Sequence, residues 1–481
     1  MLRSTVLQAL MLATILGQPT PALAYEQAHA DLAKVPLEAR ADLRYLSLYN
    51  VPAEIREKRI KVTSGHVNSL SRETDLSAPT IVSGTRGMLL RINLNDYGWK
   101  AEVWEKLVDP RFVATVEIEI IEDWTGGQWT DGKYYAPGAF QVRVKRKQID
   151  ALAPWLAEDG AARKRLAEVV EWTQSKTPVV SLDWFVYQTL AQEGRAVGYY
   201  DFLALKKQAD FEQLVRFDAK LAAKLEHRRA VVFSGIALQP RRIERVATPI
   251  GGLWRSFDNE KAADKANPLR ILDDDFTFQA TEQIGPMPNG LPAFWLADDK
   301  GTRQDKAPDQ IIGNDRTSQS NDGRIHIGRS CWGCHFGANK LESGVKEADF
   351  ARIGKLKSPD YRKFLELKRQ YTRDIEGPTK RDRESYASAI KQATGGMTPY
   401  EFANALLGIY ADYEGPVTPA RAAADLGTTP AKLRKALEAY DARADLDPVL
   451  SILMNGKSIG VVQWEEALPA AHLVLRGLVQ P

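Results

Sequence analysis

Apolar positions recur along this chain with two different periods, and the switches between them divide it into parts. Val116, Ile118 and Ile120 alternate with Glu117 and Glu119, and Phe140, Val142 and Val144 alternate with Gln141, Arg143 and Lys145. That is the period of half-buried strands, and the two runs are placed to pair. Residues 52–63 open with Pro52 at the first helical position and predict a helix that continues towards Leu70. From Leu152 to Ala223 the period is mainly helical, broken at residues 178–185 by a strand or a buried connector. Residues 230–300 are richer in Gly, Pro and short apolar runs, and residues 291–296 lead into a turn at 298–301, which predicts loop-rich β structure.

Beyond residue 335 the pattern is helical to the end. Thr398, Thr418 and Thr429 each precede a proline, an N-cap hydroxyl followed by Pro at the first helical position, and Glu401 completes a capping box with Thr398. Gly427 is expected to end the second of these helices, and Leu433, Leu437 and Tyr440 to form the buried face of the third. The short helices around Gly427 look superficially like a helix-turn-helix. We read them as a packed helical hairpin, because the formal net charge of +3 gives no field for nucleic acid.

The first residues belong to a different class. Arg3 supplies a positive start, Val6 to Leu16 an apolar run, and Ala22-Leu23-Ala24 a small-x-small cleavage signal, so residues 1–24 read as a secretory signal peptide and the mature chain as periplasmic. Without Arg3 the charge falls from +3 to +2. No apolar stretch is long enough to span a membrane. The predicted fold class is α+β, divided as a mixed domain at 25–225, a loop-rich β region at 226–345 and a helical part at 346–481.

The chemistry is concentrated at one point. Cys331-Trp332-Gly333-Cys334-His335 holds both cysteines of the chain, and C-x-x-C-H is the pattern of covalent haem attachment. Cys331 and Cys334 would form thioethers to the haem vinyls, and His335 would take an axial position on the iron, its Nδ1–H donating to a carbonyl. One haem c is therefore the expected cofactor, and the helical part after it the rest of a cytochrome c-like haem domain. A zinc site would need further ligands of the cysteine type, and a thioredoxin-like disulfide leaves the histidine unexplained.

Candidates for the other axial position are few: His29, His66, His227, His326 and His472, with Met88, Met287, Met397 and Met454. Met397 follows His335 on the side where small cytochromes c carry their methionine, yet it also suits a hydrophobic staple with Phe402. Met287, between Pro286 and Pro288, could present a thioether or pack it. His326 is better suited to a haem propionate or a supporting role, and Arg324 and Arg329 could pair with propionates. Tyr and Lys ligands stay open. Two further features are read as structural: the aromatic loop from Trp124 to Gly132 with Tyr134 and Tyr135 as a cover over its own sheet rather than a stacking site, and Asp273-Asp274-Asp275 as a solvated turn.

Residues 44–50, 67–71 and 91–99, then Pro288-Asn289-Gly290-Leu291, residues 299–301 and the pentapeptide, resemble a group of exported monohaem C-x-x-C-H proteins with a long N-terminal extension, common in planctomycetes and myxobacteria. The resemblance implies a cytochrome c-like architecture without assigning a substrate. Two departures stand out. The group often has Met-Ser where this chain has Trp332-Gly333, and its segment before Pro288 is more apolar than Thr281-Glu282-Gln283-Ile284-Gly285, so Met287 does not carry over as a ligand. The expected function is one-electron transfer with a redox partner protein and no nucleic acid. The alternatives are a haem enzyme with an open distal site for peroxide, a nitrogen oxide or an organic substrate, and a haem-containing binding or sensing protein.

Overall fold

The computed structural model describes residues 20–124, 128–130, 133–135, 140–151, 160–232, 237, 241–260, 276–311, 322–335, 371, 375–441 and 446–476. It is mixed α and β, and the chain forms two compact units whose segments interleave in sequence. One comprises Met1–Ala41, Val108–Val180 and Pro416–Pro481, the other Asp42–Leu107 and Ser181–Gly415. Among the described residues no helix is long and apolar enough to cross a membrane. Residues 1–19 and Asp273–Asp275 lie outside the described residues; Ala22–Ala24 lie within a helix, Thr20–Leu32.

In the first unit that helix packs on Gly160–Thr173, tied by Arg165 to Glu26 at 3.1 Å, by His29 to Glu168 at 2.8 Å and by His29 stacked on Trp172. The two period-two runs do pair. Val113–Trp124 and Phe140–Ala151 form an antiparallel hairpin with Ile120 opposite Val144 and Trp124 opposite Phe140. Within the aromatic loop the described residues add a smaller hairpin, Gln128–Thr130 against Lys133–Tyr135. The threonine caps are present as written, with Thr418 accepting from Arg421 N and Thr429 from Lys432 N. Pro430–Asp441 buries Leu433 and Leu437, while Asp425, at the end of Pro419–Asp425, accepts from Trp464 Nε1 and Arg111 Nη1.

The second unit holds the pentapeptide. Strand β1 (Leu43–Ser47) pairs antiparallel with β3 (Leu89–Asn93), which also pairs with β2 (Thr80–Ile81). Between β1 and β2 runs α1 (Ala53–Ser69), where Pro52 stands at the N-cap, one residue before the expected place; its fixed φ suits either position. Residues 178–185, where the chain passes from the first unit to the second, resolve into both alternatives in turn, a strand at Val179–Ser181 followed directly by α2 (Leu182–Thr189); after a short helix at Tyr199–Phe202 comes α3 (Gln208–Leu214).

The predicted β-rich stretch is a five-stranded antiparallel meander: β4 (His227–Val232), β5 (Arg241–Thr248), β6 (Gly251–Asp258), β7 (Ala280–Pro286) and β8 (Pro292–Asp298), each hydrogen-bonded to the next. Edge strand β8 is not left open. Its Phe294 and Leu296 amides donate to the Tyr199 and Tyr200 hydroxyls at 2.9 and 3.0 Å, which blocks further pairing. The described helices that follow are α4 (Arg329–His335), α5 (Glu376–Ala393) and α6 (Pro399–Glu414), the last opened by the Thr398–Glu401 capping box.

Candidate functional site

Alternation along the meander sorts its side chains into two faces. Register carries Phe294 to Ile284 to Trp254 to Arg245 across four strands, and in the next row Leu296 to Glu282 to Ser256. This inner face looks onto α4 and α5. The other face carries Trp295, Gln283 and Arg255 towards α3, where Gln283 pairs with Gln208 and Trp295 stacks on Phe211.

Helix α4 consists of the pentapeptide and the two residues before it. Cys331 and Cys334 are buried, form no disulfide and lie three residues apart, on one helix face. Trp332 is gripped edge-to-face by Phe294 of β8 and Phe402 of α6 at centroid distances of 5.5 and 5.3 Å. Trp332 is thereby an aromatic wedge between sheet and helix. At the helix start Arg329 donates to the Tyr410 hydroxyl at 2.8 Å and to Asp322 at 3.2 Å.

His335, at the far end, borders a cavity of about 330 Å³ walled by Trp254, Ile284, Pro286, Phe294, Tyr386 and Tyr400. The size and apolar character are those of a small-molecule site. Asp382 closes one side: it accepts two bonds from Arg245, at 2.7 and 2.8 Å, and one from Trp254 Nε1 at 2.9 Å, fastening α5 to the sheet. Gly252 lies so close to this pair that a Cβ there would collide with it. Gly290, at φ +82°, makes the tight β7–β8 turn that borders the cavity, with its amide donating to the Met287 carbonyl.

The His335 ring departs from expectation. Its Nε2 is 3.2 Å from Glu282 Oε1, and its Nδ1 is buried with no hydrogen-bond partner. The expected Nδ1–H to carbonyl bond is thus replaced by one from Nε2 to a carboxylate, because β7 turns Glu282 inward, opposite the ring. Glu282 Oε2 accepts from Arg241 Nη2 at 3.0 Å, and Arg241 is held by Asp258 at 2.6 and 2.9 Å. Burial would raise the Glu282 pKa, but His335 and Arg241 outweigh it and hold it down to about 2. Asp258 goes the other way: burial, with the Glu282 charge, lifts it above the usual carboxylate range despite Arg241.

The nitrogen without a hydrogen-bond partner is Nδ1, whereas the C-x-x-C-H pattern calls for Nε2 on the iron, and Nε2 is on Glu282. The residues that would hold a haem are Cys331 and Cys334, through thioethers, and His335, through Nε2 with the ring turned away from Glu282. The cysteines do not border the cavity; His335 does. Among the described residues no group of three or more His, Cys, Asp or Glu is placed to hold a metal ion by itself.

The other candidates lie elsewhere. Met287 is fully buried in the β7–β8 turn and Met397 is buried with its amide on Thr394 Oγ1; neither borders the cavity, although Pro286 and Thr398 do. His326 bonds Asp322 through Nε2 at 2.7 Å and faces Glu193, Arg324 faces Asp309, and Arg329 is engaged as above. These three side chains meet protein carboxylates in place of propionates. His66 is enclosed, with Nε2 on Thr189 Oγ1 at 2.7 Å. Thr189 donates to the Phe185 carbonyl, so it accepts from His66 Nε2–H. Burial drives the His66 pKa down to about 3. His227 meets Glu244; His29, His472 and Met454 belong to the first unit.

The segments at 44–50, 67–71 and 91–99 build the scaffold of this unit. Asn289 in the β7–β8 turn donates to the Asn68 carbonyl at 3.0 Å, Trp99 Nε1 to the Leu70 carbonyl at 2.8 Å, and Asn50 to Asp183 at 3.0 Å. The end of α1 thereby supports the cavity rim. Sequence reasoning missed Glu282, Arg241 and Asp382; the one available signal was the polar Thr281-Glu282-Gln283 run just before the apolar Pro- and Gly-rich stretch at 284–297. Comparison with known proteins finds no matching family model, no matching curated protein and no matching solved structure.

Proposed function

We propose that this chain is an exported monohaem c-type cytochrome, carrying one covalent haem on Cys331 and Cys334 with His335 as axial ligand, and passing single electrons to a redox partner protein. The observation that supports this best is the setting of the C-x-x-C-H pentapeptide: one helical turn with both cysteines buried, ending in a histidine that borders an apolar cavity. A bound haem would supply reversible one-electron chemistry. The chain's own part is to exclude water with Trp254, Ile284 and Phe294, to present His335 from the end of its helix, and to tune the potential by burial.

A second reading, a haem enzyme with an open sixth position, draws on one specific observation. Every Met and His beyond residue 20 falls within the described residues, and of these only His335 borders the cavity. The two readings differ in ligand access. Purified haem-loaded protein would be mixed with carbon monoxide when ferrous and with cyanide when ferric. Unchanged low-spin spectra support the electron carrier, whereas rapid formation of either adduct transfers the case to the enzyme.

A further inference from the structure

Trp254, Ile284 and Phe294 stand in one row across β6, β7 and β8, set opposite one another by the register of the ladder. Adjacent strands lie about 4.8 Å apart, so the row makes an apolar floor roughly 10 Å long. Tyr386 of α5 and Tyr400 at the start of α6 border the same cavity. The result is a slot walled by aromatic rings from four separate elements, and such rings favour another ring laid offset or edge-on against them. Its volume of about 330 Å³ exceeds the roughly 150 Å³ in which an apolar cavity already takes up benzene.

The wall is set before any ligand arrives. Trp254 Nε1 donates to Asp382 at 2.9 Å, and Asp382 is clamped by Arg245, so the indole is held in place. The entrance is open, because Tyr400 is 59% exposed and Ser385 and Thr398, which also border the cavity, are exposed. Charges at the wall are met within the chain: Asp382 by Arg245, His335 by Glu282, and Arg383 by contacts of its own. A charged ligand would be desolvated there without a counter-ion. One polar position remains. A carboxylate accepts at roughly four lone-pair sites, and among the described residues Asp382 Oδ2 takes Arg245 Nε and Trp254 Nε1, whereas Oδ1 takes Arg245 Nη2 alone.

We propose that this cavity binds an uncharged single-ring phenol, its ring in the slot between the Trp254, Ile284 and Phe294 row and Tyr400, and its hydroxyl donating to Asp382 Oδ1. The inference goes beyond the cofactor reading and does not rest on it, since of the lining residues only His335 belongs to the pentapeptide.

Isothermal titration of the full-length exported chain, with the haem it carries, against phenol, anisole and cyclohexanol tests it. Phenol binds with one-to-one stoichiometry. Anisole keeps the ring without the O–H and binds about tenfold more weakly or worse, the loss for a hydrogen bond to a charged group. Cyclohexanol keeps the hydroxyl without the aromatic ring and binds several-fold more weakly. Ile284→Trp fills the slot and abolishes phenol binding; should it not fold, Tyr400→Ala, a change at an exposed side chain, decides in its place, weaker binding supporting the proposal and unchanged binding overturning it. No uptake of phenol by the wild type, anisole or cyclohexanol bound as tightly as phenol, or full binding by Ile284→Trp overturns the proposal. Phenol refused by the haem-loaded chain, yet bound once Cys331→Ala and Cys334→Ala remove the haem, gives the cavity to the cofactor and overturns it as well. A wild-type chain without covalent haem that still binds phenol brings down the cofactor reading and supports this inference.

Discussion

The two faces of the β4–β8 meander share one backbone and both carry charges, but they differ in what covers them. On the outer face Gln283 and Gln208 exchange neutral amide hydrogen bonds at about 3 Å, Trp295 stacks on Phe211, Arg255 lies over the Phe217 ring and pairs with Glu212 at 3.3 Å, and Glu244 is met by Arg229 and Arg242, so that this face is closed by the chain's own α3 and its neighbours. One residue away, the inner face holds buried Asp258 and part-buried Arg241 and Glu282 in a charge chain and leaves a cavity between the sheet, α5 and His335. What separates the faces is closure rather than charge: α3 covers the outer one, whereas the inner charge chain ends at a histidine beside a cavity, the face that would hold a ligand under the proposed reading.

The comparison breaks most visibly at Arg241. Replacing it with alanine leaves buried Asp258 and part-buried Glu282 without their cation, and denaturant unfolding is expected to lose about 3 kcal/mol, the lower end of the range for breaking a buried ion pair. A loss below about 1 kcal/mol would mean that the inner face is wet and the charges ordinary.

Acid supplies the next effect and a background that both faces share. His66 is neutral in the fold with its pKa depressed to about 3, while an unfolded histidine titrates near 6.5. Between those values the unfolded chain takes up a proton that the folded one refuses, so stability falls as pH drops through this window and is regained above it. The slope should flatten in a His66→Gln variant, provided unfolding is followed at several pH values. The smallest effect belongs to the outer face: Gln283→Ala removes one neutral amide pair and should cost about 1 kcal/mol, with no change at His335. A loss as large as that at Arg241 would erase the distinction between the faces.

Local features of this fold were written plainly in the sequence. Thr398 with Pro399 and Glu401 set a helix start whose bonds are all made within four residues, and the hairpin strands around Ile120 and Val144 announced themselves by alternation. What could not be read are contacts between distant segments. Glu282 and His335 are 53 residues apart, Asn68 and Asn289 are 221 apart, and both compact units are assembled from stretches that lie far apart along the chain. Periodicity says that a residue faces inward but not what it meets. The run at Thr281–Gly285 drew notice in the sequence only as more polar than its counterpart in the resembling group; in the fold it is a strand whose Glu282 points to the histidine and whose Gln283 points to α3.

The central claim is the covalent cofactor, and intact mass spectrometry under denaturing conditions tests it most directly. Protein exported from a host with active c-type haem attachment should carry the mass of one haem that survives unfolding and acid extraction, and should lose it when Cys331 and Cys334 are both replaced by alanine. An unmodified polypeptide mass for the wild type, or a haem that extracts freely, would contradict the account.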